Sequence, residues 1–168
     1  MRGFDRSPAR VTTMALALIL LSVQAQAQNR ATPKTLLTVS SNVVTFAPPT
    51  ANDYASGSVN GADGVTFVVA TTNGNQTHVT TILIRGTAAK FTNGKDIGEV
   101  QWRRADLPTW NSLTLTNAQV EERVQVPHGL NDPWSNTILF RVLLGWDRDP
   151  PASYTATYEI TLAQRDPP

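Results

Sequence analysis

The chain has 168 residues, 14 Lys+Arg against 13 Asp+Glu, a formal charge of +1 and no cysteine. So small a charge excludes a nucleic-acid backbone as the default partner. The missing cysteine excludes disulfides, thiolate metal sites, thiol nucleophiles and a lipidated N-terminal cysteine.

Residues 1–27 have the layout of a secretory signal peptide. Arg2, Arg6 and Arg10 precede the apolar stretch Met14–Val23, and Ala25-Gln26-Ala27 supplies small residues for cleavage after Ala27. The apolar stretch is shorter than the roughly 20 residues a membrane helix needs. No paired arginine precedes it, which favours the Sec route. Removing these residues leaves a mature chain of 141 residues with 11 Lys+Arg and 12 Asp+Glu. No later stretch reaches membrane-spanning length, so no transmembrane segment is expected in the mature chain. The expected destination is periplasm, cell surface or extracellular medium.

Residues 28–34 are polar and read as a flexible leader. Residues 35–168 read as one domain. Its short apolar-alternating runs are separated by Asn60-Gly61, Asp63-Gly64, Asn73-Gly74 and Asn93-Gly94, dipeptides suited to tight turns. The mature chain holds 20 Thr, a residue that suits a pleated, half-exposed surface. Together these features predict an all-β fold, an antiparallel sandwich of about seven to nine strands.

In chain order, the first strand changes register. Leu37, Val39 and Val43 fall on odd positions, Val44 and Phe46 on even ones. A bulge, or a strand passing from one sheet to the other, produces that pattern. Val65, Phe67 and Val69 share a face, and Val79–Arg85 is a β-branched core strand. Val100 and Trp102 point the same way. Leu113 and Leu115 alternate with threonines, and Val124 and Val126 with polar residues. Asn117–Val124 also fits a single helical turn. Asn136–Trp146 is apolar on nearly both faces and reads as a central strand, with Trp146 in the core. In Ser153–Leu162, Tyr154, Ala156, Tyr158, Ile160 and Leu162 form one face against Thr155, Thr157, Glu159 and Thr161.

Two stretches carry a resemblance: Leu36–Phe46, and Pro150-Pro-Ala-Ser-Tyr154 running into the closing strand. The pattern resembles bacterial secreted immunoglobulin-like and fimbrial-subunit-like domains, including the spore-coat-U-type pilins. It departs from those pilins in having no cysteine. The resemblance implies an immunoglobulin-like sandwich and assembly with copies of itself or another surface protein. In that family an extended segment of one subunit completes the sandwich of the next. Here the leader plus Leu36–Phe46 is the candidate donor, with an internal edge strand as the alternative.

Candidate chemistry is sparse. His78 and His128 lie 50 residues apart, with no zinc-ligand spacing. No nucleophile elbow and no phosphate-cradling glycine loop occurs, so no catalytic residue is assigned and no cofactor is expected. Asp147 and Asp149, two apart, would join Asp132 to hold a calcium ion or act as paired acids; an ordinary acidic turn is the plainer reading. Trp110 and Trp134 lie in proline-containing loops, where they would stack on a glycan or fold back to plug the sandwich. The expectation is a non-enzymatic secreted protein with a structural, adhesive or surface-assembly role, and a carbohydrate-binding module using Trp110 and Trp134 as the alternative.

Overall fold

The computed structural model describes residues 34–72, 77–125 and 133–168. Ten strands form two antiparallel sheets that pack face to face. The first sheet has the order β1 (Lys34–Val39), β4 (Val65–Thr72), β9 (Trp134–Leu143), β6 (Val100–Arg104), β7 (Asn111–Ser112), with β3 (Ser58–Asn60) also on β9. The second has the order β2 (Val43–Phe46), β10 (Tyr154–Arg165), β5 (His78–Gly86), β8 (Ala118–Gln125). The count exceeds the seven to nine expected because β3 and β7 are very short and the first strand is divided.

That division is the register change of the sequence. Leu36 to Val39 pair with β4 in one sheet, while Val43 to Phe46 pair with Thr157 to Tyr154 in the other. Ser40–Asn42 carries the chain between sheets. The first strand therefore lies within its own sandwich, as an edge strand in each sheet.

The core sits between the inner faces. Phe46, Phe67, Phe140, Tyr154 and Tyr158 are almost fully buried, with Ile82, Ile84, Ile138 and Val100 between them. Phe140 and Tyr158 meet across the two sheets with ring centroids 4.8 Å apart. Burial of each such side chain is worth about 2–3 kcal/mol, and no disulfide is present to share that role. The period-2 face of the closing strand is inward through Tyr158, then half-buried at Ile160 and Leu162.

Several expectations are corrected. Asn60-Gly61 and Asp63-Gly64 do not turn a hairpin. β3 and β4 run in the same direction along β9, and residues 61–64 bulge opposite Leu139 and Phe140. Positive φ occurs at Gly57, Asn93 and Gly94 among the described residues. Gly64 serves a close approach instead, since a β-carbon there would press on Thr137 and Leu139. Leu115 and Val124 are exposed. The strand at the first site is only Asn111–Ser112, and Ala118–Gln125 is strand where a single helical turn also fitted. In β8 the register shifts between Gln119 and Glu121, so Val120 is an extra residue. The inward face switches there, which turns Val124 to solvent and Glu121 inward.

One helix was not foreseen: α1 (Ala51–Ser56). Thr50 accepts from Asp53 N–H, and its own N–H and hydroxyl donate to the Asp53 carboxylate at 2.8 and 2.7 Å. That capping box was visible as Thr50-x-x-Asp53. Those donors hold the Asp53 carboxyl below its usual range. Residues 1–33, including the expected signal peptide and most of the expected leader, lie outside the described residues, as do residues 73–76 and 126–132 with His128 and Asp132. Among the described residues no helix is long and apolar enough to cross a membrane.

Candidate functional site

The acidic turn after β9 is occupied by an ion-pair network. The Asp149 carboxylate is 7% exposed; one oxygen lies 2.8 Å from Lys95 Nζ and the other accepts the Gly145 N–H at 2.7 Å. The Lys95 side chain is 2% exposed and also meets Glu99 at 3.1 Å. Arg148 closes the group on Glu99 at 3.2 Å. Tyr54 of α1 donates its hydroxyl to the Asp149 carbonyl at 2.7 Å, and its ring stacks on Trp146 at 4.5 Å. Trp146 was expected in the core; it is 64% exposed and forms the outer layer of this plug. Asp147 is exposed. Asp149 is thus engaged by Lys95 and the Gly145 N–H, and Asp132 lies outside the described residues. Among the described residues no group of three His, Asp or Glu is placed to hold a metal ion.

The two candidate glycan tryptophans are also separated. Trp134 is the first residue of β9, not a loop residue, and shares the inward parity of Ile138, Phe140 and Val142. It packs on the core, edge-on to Phe67 at 5.8 Å, with the Arg123 guanidinium 4.4 Å from its ring centre. Trp110 lies with Arg103 and Arg141 on the outward face of the first sheet, their guanidinium carbons 5.1 and 4.5 Å from its ring centre. Arg141 is steadied by the Gln101 side chain at 2.8 Å. Cations already occupy the π surface a sugar would use, and the two rings belong to opposite faces of the sheet.

At the other end of β9 is a cluster the sequence analysis missed. Glu121, turned inward by the bulge, is 6% exposed. It accepts from Arg123 at 2.6 Å and from Asn136 at 3.2 Å, with Arg104 at 3.6 Å. Arg104 is raised above its usual range by its hydrogen bond to Asp106, whose carboxyl is lowered in turn. The only sequence signal was a charged run, Glu121-Glu122-Arg123, which normally marks a solvated face.

The candidate site is a strand edge. β2 covers β10 only from Tyr154 to Thr157, and Tyr158 N–H donates to Asn42 C=O at 3.1 Å. The Thr157 carbonyl accepts from Thr87 N–H on the β5 side, so odd residues of β10 address β5 and even residues the opposite side. Beyond Tyr158 no strand among the described residues lies on that opposite side. Ile160, Leu162 and Gln164 direct their backbone N–H and C=O groups there. The floor is partly closed by Gln164 Nε2 donating to Thr35 Oγ1 at 2.6 Å. A cleft of about 440 Å³, lined by Val39, Asn42, Tyr158 and Ile160 among others, opens where the edge begins.

The other edges are blunted in ways that suppress strand pairing. β7 has two residues, and β8 carries Glu121, Glu122 and Arg123 and a bulge. β1, the short β2 and the far half of β10 carry no such run of charge or bulge and lie on the same side of the sandwich. The described residues thus form an antiparallel β-sandwich with one side uncovered among them. No family model, curated protein or solved structure matches this chain.

Proposed function

We propose that this is an exported, non-enzymatic bacterial protein with a structural or surface-assembly role, and that it engages its neighbour by strand addition along β10. The signal-peptide layout supports export through the Sec pathway to the periplasm or cell surface. The open backbone of Ile160, Leu162 and Gln164 carries the assembly reading, because main-chain groups on a bare edge recruit an added strand. The resemblance of Leu36–Phe46 and of the closing strand to fimbrial-subunit-like domains points the same way.

The test is fractionation of the producing cell with native mass measurement, alongside Gln164→Pro. Gln164 is exposed and its N–H faces the open side, so proline there is tolerated by the fold but removes a donor from the edge. Exported protein in particles larger than one chain, reduced to single chains by Gln164→Pro, is the expected result. Wild-type protein that is monomeric in every fraction overturns the reading.

A further inference from the structure

We infer that the occupant of the β10 edge is the same edge of a second copy, paired antiparallel about a two-fold axis at Leu162. This rests on the strand-addition reading above and names its partner.

The first ground is self-complementarity. A two-fold contact must match one patch to itself. Centred on Leu162, the pairing sets Ile160 opposite Gln164 of the second copy and Leu162 opposite Leu162. All three already point their backbone groups outward, so about six main-chain hydrogen bonds form in the alternating antiparallel pattern. Asn42 ends the pairing at one side, because its carbonyl already holds the Tyr158 N–H.

The second ground is charge. The same register puts Glu159 opposite Arg165 of the second copy, and Arg165 opposite its Glu159. Both side chains lie on the outer face and are 42% and 54% exposed, with their present partners Arg85 and Glu122 on the β5 side. Directly opposed unlike charges stabilise a strand pair. Centring on Thr161 instead sets Glu159 opposite Ala163 and loses both ion pairs. β1 and β2, the other edges without a run of charge or a bulge, read Lys-Thr-Leu-Leu-Thr-Val and Val-Val-Thr-Phe and offer no such match. The mature charge of −1 opposes association of copies only weakly.

The third ground is the contrast among edges. Charge, bulge or shortness blunts β7 and β8, while Ile160–Gln164 has no proline, no charge and no bulge on its open side.

The experiment uses the absence of native cysteine. Thr161 and Ala163 face each other in this register as a non-hydrogen-bonded pair, with Cα atoms about 4.5 Å apart, within disulfide reach. Thr161→Cys and Ala163→Cys are made singly in the full chain, then mixed under mild oxidation. The expected result is a covalent dimer at least ten-fold more abundant in the mixture than in either variant alone, and its loss when both carry Gln164→Pro. Cross-linking of Thr161→Cys alone, equal to the mixture, overturns the Leu162 register. Particles that Gln164→Pro dissolves, without any cross-link in the mixture, overturn the second copy as occupant and leave strand addition by another chain standing. Monomers throughout overturn both.

Discussion

Asp149→Asn separates the two meanings of the acidic turn. Asparagine keeps the shape and one acceptor oxygen but removes the charge facing Lys95, whose side chain is 2% exposed. Breaking a buried ion pair from one side costs about 3–5 kcal/mol. Lys95 retains Glu99 at 3.1 Å, which places the loss at the low end, about 3 kcal/mol. For a domain of this size that corresponds to a fall in Tm of about 10 °C. Asp147, exposed and two residues away, is expected to cost less than about 0.5 kcal/mol as Asn. Urea unfolding followed by tryptophan emission, with and without calcium, measures both. An Asp149→Asn protein within about 0.5 kcal/mol of wild type refutes the ion-pair argument. A calcium-dependent rise in Tm lost in both variants restores the metal-turn reading.

Burial pushes the hydroxyls of Tyr154 and Tyr158 up to about 12. An unfolded tyrosine ionises near 10, so stability present below pH 10 is lost as pH rises from about 10 through about 12. Phenolate absorbance from these two tyrosines should appear together with alkaline unfolding, and a titration complete near pH 10 in folded protein contradicts it. Gly86→Ala would bring a β-carbon within 2.5 Å of Ile97 Cγ1, and overpacking there should cost about 2 kcal/mol by denaturant midpoint. Trp110→Ala removes two partly exposed cation–π contacts, for an expected loss of about 1–2 kcal/mol. Saccharides should leave wild-type tryptophan emission unchanged, and a saturable shift abolished by Trp110→Ala would return the glycan reading.

Alternating strands were legible because burial enforces a period of two, as Tyr154, Ala156 and Tyr158 show. The register change at Val43-Val44 was legible for the same reason, since only a change of sheet or a bulge lets adjacent valines both fit a strand. Val124 misled because one inserted residue, Val120, reverses the parity of all that follows in β8, and nothing local marks the insertion. Trp146 misled because hydrophobicity alone does not say whether a ring enters the core or caps it. The buried charges were hidden for a deeper reason. Lys95 and Asp149 are 54 positions apart, and Glu121 meets Asn136 only because the sandwich sets β8 of one sheet against β9 of the other. Single residues in turns or charged runs carry no trace of such partners.

The division of the first strand also creates the candidate site. A strand confined to one sheet would either cover β10 along its length or leave it and cover β4. This chain does each in part. Val43–Phe46 protects the first four residues of β10, and Lys34–Val39 protects β4 in the other sheet. Three residues, Ser40–Asn42, make the passage, and beyond them no described strand covers that side of β10. The twelve residues of β10 exceed what a four-residue partner can pair, so the bare edge follows from the lengths of the two strands. Proline or charge at the exposed Gln164 would have blunted that edge at little cost, as charge does in β8. An uncharged, unbulged run instead leaves the geometry that admits a further strand.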